Sequence, residues 1–127
     1  MCKMIEFSKT WKSSSKPKKQ RKYIANLPMH LRKKRLSAHL SKELQEKYKK
    51  RNITIRKGDK VKIVRGQFKG KTGAVTVVNT KLGRIFVDGI DRNKIDGSKS
   101  FFKIHPSNVI ITSMNTEDKK RIKSKEK

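Results

Sequence analysis

The 127-residue sequence predicts a mainly β fold, a small antiparallel barrel over residues 52–112, set between a basic extension with two short helices and a basic tail. Two observations carry this reading. From Thr54 onward, short runs of alternating apolar and polar residues are separated by turn signals. Before that point, 17 of the 36 Lys and Arg residues fall within residues 1–51, among too few apolar side chains to form a core of their own.

Within the extension, residues 1–25 read as an extended basic arm carrying Lys18, Lys19, Arg21 and Lys22. The stretch NLPMHLRKKRLS predicts a first short helix, because Pro28 suits an opening turn and Leu27, Leu31 and Leu36 leave room for one. His30, Arg32, Lys33, Lys34 and Arg35 surround that helix. SKELQEKYKK predicts a second, with Ser41 as N-cap, Glu43 in the first turn, and Leu44 and Tyr48 four apart on one face. His39 is read as lying in these basic helices. Arg51 closes the extension.

Five strands are expected in the barrel: KVKIV, AVTVV, RIFVDGI, SFFKI and NVIIT. KVKIV puts Val61 and Ile63 on one face with Lys60 and Lys62 on the other, and AVTVV pairs Val75 with Val77 in the same way. Turns are expected at residues 65–73, 80–83, 96–97 and 105–106. Closure into a barrel would remove exposed edges. Asp59, after Gly58, is expected to bond its own turn backbone, and Asp88 and Asp91 to be turn or surface residues.

The formal net charge of +26 implies a polyanionic partner, and nucleic acid is the usual one. An anionic membrane surface is a second candidate, but no run approaches the ~18 apolar residues of a spanning helix. The single cysteine, Cys2, excludes an internal disulfide, and with three histidines it cannot complete a four-ligand zinc site. A free thiol and the lack of a signal-peptide pattern fit a reducing compartment. Glu6 and the absence of amphipathic periodicity count against reading the first twenty residues as a transit peptide.

Residues 66–72, GQFKGKT, come within one residue of the phosphate-binding loop G-x-x-x-x-G-K-[ST]. That loop works by leading from a strand into a helix N-terminus. Here it leads into AVTVV, a strand, and Arg65 stands where the first glycine belongs. A bent strand connection explains the glycines better, since Gly66, Gly70 and Gly73 accept positive φ without penalty. Arg65, Lys69 and Lys71 then project from the tip beside available amides, an arrangement suited to a phosphate backbone. Phe68 has two readings, stacking on an unpaired base or closing the core, and packing is favoured. No nucleophile, base and orienter share a plausible site, so no enzymatic activity, cofactor or small-molecule substrate is expected. His105-Pro106 reads as a corner before the last strand.

The segment GDKVKIVRGQFKGKTGAV resembles a KOW motif, the strand–loop–strand signature of SH3-like barrels that associate with nucleic acid, at Gly58-Asp59, Val61, Ile63, Gly66, Phe68-Lys69-Gly70, Gly73 and Val75. The flanking blocks LPMHLRKKRLSAHLSKELQEKYKKR, ITIRKGDKV and IHPSNVIIT resemble the archaeal and eukaryotic form of the universal large-subunit ribosomal protein twenty-four family, over roughly residues 17–112. The basic tail is more like the eukaryotic members, and residues 1–16 look unlike the family. The resemblance implies a non-enzymatic ribosomal protein that binds the five-prime region of large-subunit rRNA near the peptide exit tunnel. It implies neighbouring ribosomal proteins as partners, one copy per ribosome, and a cytoplasmic location with nuclear passage in a eukaryote. The expected contacts are Arg21, Arg32, Arg35, Arg51, Arg56 and Arg65 as bidentate phosphate ligands, with the lysines of the arm, Lys62, Lys69 and Lys71 as point charges and Gly66 and Gly70 shaping the loop. The alternatives are a regulatory KOW protein acting on RNA polymerase or an mRNA, which would normally bring a further domain, and a histone-like compactor, which leaves the strand pattern unexplained.

Overall fold

The computed structural model describes residues 6–122, so Cys2 and residues 123–127 of the tail lie outside the described residues. The N-terminal arm is not extended throughout. Residues Pro17–Ala25 form helix α1, with the proline at its first position, where a missing N–H costs nothing. The two expected helices follow as α2, Met29–Arg35, and α3, Lys42–Tyr48. Ser41 stands at the N-cap position of α3, but its side chain makes no capping bond. Leu44 of α3 packs against the core, as its spacing required.

Between these helices lies β1, Ser37–Leu40, a strand inside what the sequence pattern presents as a helical extension. His39 is therefore a strand residue. Its neighbours Ala38 and Leu40 are buried, in the alternation a strand imposes. Strand β2, Asn52–Thr54, pairs antiparallel with β1. The main run follows as β3, Lys60–Ile63, β4, Thr72–Asn79, and β5, Arg84–Val87. A separate hairpin, β6, Asp91–Asn93, and β7, Lys99–Phe101, turns at Asp96 and Gly97. Strand β8, Val109–Ser113, completes the main sheet.

Six strands form that sheet in the order β2-β1-β8-β3-β4-β5. The expectation of purely antiparallel pairing is corrected at one place: β1 runs parallel to β8, with His39 opposite Ile110 and Leu40 opposite Ile111. A parallel partner requires a long connection, and residues 41–108 supply it. The sheet therefore draws on both sides of the boundary expected at residue 52.

The core is aliphatic, built from Ala38, Leu40, Ile55, Val61, Ile63, Val75, Ile85, Val87, Ile90, Ile104, Val109 and Ile111. Strand β3 delivers Val61 and Ile63 inward and turns Lys60 and Lys62 outward. Strand β4 departs from simple alternation. Its register with β5 shifts between Val75 and Val77, so Val75 is buried while Val77 is 53% exposed, and Val78 packs against the core instead. A bulge of this kind turns the following side chains to the other face.

One buried ion pair fastens the start of the tail to this body. The guanidinium of Arg121 grips both carboxylate oxygens of Asp59 and also donates to the carbonyls of Thr54 and Asn115, each at 3.0 Å. Asp59 keeps the expected turn bond as well, accepting from the Arg56 N–H at 2.9 Å.

Candidate nucleic-acid interface

Strands β3 and β4 are joined by the loop that carries the GQFKGKT stretch. Gly66 and Gly70 have φ of +99° and +88°, with open space around the missing Cβ, so their role is conformational. Gly73 has a different one. A Cβ there would lie 2.6 Å from the carbonyl oxygen of Asp88 and 2.7 Å from Val87, so the glycine permits close backbone approach.

The loop closes on itself. The Gly70 N–H donates to the Ile63 carbonyl at 2.8 Å, the Lys69 N–H to Gly66 at 3.2 Å and the Lys71 N–H to Phe68 at 3.1 Å. The expectation of available amides is corrected at these three positions: they are spent on holding the bend. What the loop offers is side-chain charge on a stiff frame. Phe68 packs edge-on against Phe102, ring centroids 5.0 Å apart, and against the core, which answers its two readings in favour of packing. The Lys71 ammonium lies 5.2 Å from the Phe68 ring centroid, so the same aromatic orients a cation.

Arg65, Gly66, Lys69, Gly70 and Lys71 thus share one exposed tip. Beside it lies a hollow of about 280 Å3 lined by Arg65, Gln67, Phe68, Arg84, Phe102, Lys103, His105 and Asn108, among others, with no acidic residue. Arg84 and Lys103 carry no mark in the sequence. Arg84 opens β5 and Lys103 lies in the segment after β7, and only the tertiary fold sets them beside the loop. The His105 Nδ1 accepts from the Ser107 N–H at 3.2 Å and lies 2.7 Å from the Ser107 hydroxyl, which makes it the cap of a short 3₁₀ turn. Partial burial, then the charges of Arg84 and Arg35, hold His105 below the ordinary imidazole pKa.

The other expected contacts are distributed. Lys18, Lys19, Arg21 and Lys22 lie on α1, where Lys22 covers the Trp11 ring at 4.3 Å. Phe7, Trp11 and Tyr23 form an aromatic cluster that gives this helix something to pack on, with no signal in the sequence pattern. His30, Arg32, Lys33, Lys34 and Arg35 lie on α2. Arg32 donates to the Ala25 carbonyl at 3.0 Å, tying α2 to the end of α1. Arg51 and Lys62 are exposed. Arg56 and Lys33 line a second hollow of about 720 Å3, floored by Leu36, Ile53, Ile55 and Val78. Arg56 also pairs with Asp118 at 2.8 Å, and that contact holds the Asp118 carboxyl below the usual range.

Among the described residues, no cluster of three or more His, Cys, Asp or Glu is placed to hold a metal, and no helix is long and apolar enough to cross a membrane.

These features define a small basic protein with its cations displayed on a β hairpin and short helices. A family model that describes the eukaryotic ribosomal protein L26 and its archaeal counterpart matches residues 14–127. The large ribosomal subunit protein uL24 of Sulfolobus acidocaldarius is 48% identical over 109 residues, 86% of this chain and 81% of that protein. The chain belongs to this family of ribosomal proteins, which are structural components and not enzymes. The match takes in the tail and residues 14–16, both beyond the span of the sequence resemblance.

Proposed function

We propose that this protein is a structural constituent of the large ribosomal subunit that binds rRNA, in its five-prime region and near the peptide exit tunnel, and supports subunit assembly. The observation that carries the rRNA reading is the loop at 65–71, a stiff tip with three cations and no carboxylate beside it. Among the described residues, Arg65, Lys69 and Lys71 take part in neither the Arg56–Asp118 nor the Arg121–Asp59 ion pair, and no carboxylate is paired with them. Phosphate supplies one, and each phosphate neutralised releases counterions. The large-subunit part rests on the name of the archaeal relative.

In this reading the strands curl as an SH3-like barrel, supported by the bridge between Ile85 and Ile104 and by the shared aliphatic core. The N-terminal helices order further on RNA, with Arg21, Arg35 and Arg51 as leading contacts and neighbouring ribosomal proteins alongside. One copy sits in each cytoplasmic ribosome, after nuclear passage in a eukaryotic cell. The test is binding to fragments of large-subunit rRNA. Tight, saturable binding to a five-prime fragment and weak binding to a three-prime fragment of equal length is expected. Equal affinity for both overturns the regional assignment.

A further inference from the structure

Resting on the rRNA reading, we propose that the hollow between the 65–71 loop and residues 102–108 seats one phosphodiester group of RNA, held by Arg65, Arg84 and Lys103 with His105 as a neutral hydrogen-bond donor.

Three cations and an imidazole line this hollow, and no acid does. Neither the Arg56–Asp118 nor the Arg121–Asp59 ion pair involves Arg65, Arg84 or Lys103. Like charges crowded at one site disfavour the empty state, and a bound anion relieves that repulsion. The tautomer of His105 follows from its bonds. Nδ1 accepts from the Ser107 backbone N–H, so the neutral ring carries its proton on Nε2. The burial and the arginine charges that oppose ring protonation keep it in that form near neutral pH.

Size and walls narrow the ligand. At about 280 Å3 the hollow falls just below the ~300–1,000 Å3 of small-molecule pockets, so it suits a phosphate with part of a ribose rather than a free nucleotide cofactor. Phe68 and Phe102, packed edge to face, give one wall an apolar surface for the sugar. Lys69 and Lys71 stand on the same loop, so a strand leaving the hollow meets further cations. A free phosphate has no use for that continuation.

The experiment compares the full-length protein with the Arg84→Gln, Lys103→Gln double variant and with Lys42→Gln, an exposed control on α3, for binding to a five-prime rRNA fragment across a salt series. The double variant is expected to bind about tenfold or more weakly and to lose about one unit of the slope of log K against log salt. The control is expected to match the parent. Circular dichroism verifies that each variant is folded. Should the double variant be misfolded, inorganic phosphate and the fragment are titrated into the parent, and the amide signals of Arg84, Lys103 and His105 are followed. Saturation by RNA at far lower concentration than by phosphate supports the seat. Unchanged affinity and slope, absent shifts, or saturation by inorganic phosphate without effect on RNA binding overturns it. A parent that binds no rRNA fragment defeats the underlying reading instead, and that outcome is distinct from binding that ignores the two substitutions.

Discussion

The Arg121 guanidinium and the Asp59 carboxylate form a doubly hydrogen-bonded pair across 62 residues of sequence, with side chains 2% and 0% exposed. Asp59 also accepts from the backbone N–H groups of Arg56 and Asn115, so its oxygens are fully engaged. The pair fixes the start of the tail against the turn that precedes β3.

Removing one partner strands a buried charge. Arg121→Ala is expected to destabilise the fold by about 3–5 kcal/mol. Asp59→Ala should cost a similar amount, and the double variant less than the two together. Denaturant midpoints for the three variants check this. Additive losses would mean that the two residues act independently.

Gly73 tests close packing. Gly73→Ala forces a Cβ against the Asp88 carbonyl and Val87, and a cost of about 1–3 kcal/mol is expected from overpacking. Thermal unfolding reads it out; an unchanged midpoint would show that the strands separate there at little cost.

Strand β1 lies before the boundary expected at residue 52 and pairs with β2 and β8. Removing residues 1–26 takes away α1 and its aromatic cluster and should leave the sheet folded. Removing residues 1–51 takes away β1, the partner of both β2 and β8, with the buried Ala38 and Leu40. That fragment is expected to be unfolded by circular dichroism. Leu40→Ala in the full chain should cost about 2–5 kcal/mol. A folded 52–127 fragment would show that β1 is dispensable.

His105 predicts a pH dependence. Its folded pKa lies below the ordinary imidazole value of 6.5, for burial first and then Arg84 and Arg35. The unfolded chain therefore binds the proton more readily. This contribution to stability is complete above pH 6.5 and is lost as pH falls from there toward and through the folded pKa. The urea midpoint should be lower at about pH 5.5 than at about pH 7.5, and His105→Asn should shrink the difference. Equal midpoints at the two pH values in the parent protein would contradict it.

Much of this was legible because the signals were local. The alternation in KVKIV fixed the inward face of β3, and glycine spacing in GQFKGKT marked a bend instead of a nucleotide loop. Phe68 could be favoured as a packing residue because it sits in an otherwise polar tip. What stayed hidden was non-local. SAHL is a strand because β8, far along the chain, offers it an edge, and its short run carries too little pattern to announce this. Pro17 was a usable signal for α1, but the charge density of its surroundings made the arm look unstructured. Arg121 looked like any cation in a Lys-rich tail, and Arg84 and Lys103 join the loop only through the fold.

In the proposed role the protein is an integral component of the large subunit held by phosphate contacts. The most direct measurement is sedimentation of the tagged protein from a lysate through gradients at low and high salt, in parallel with an Arg65→Ala, Lys69→Ala, Lys71→Ala variant. The parent is expected to migrate stoichiometrically with large subunits and to survive the high-salt wash. The variant should be released at lower salt, with a flatter salt slope for binding isolated rRNA. Migration of the parent away from large subunits, or its loss at modest salt, contradicts the account.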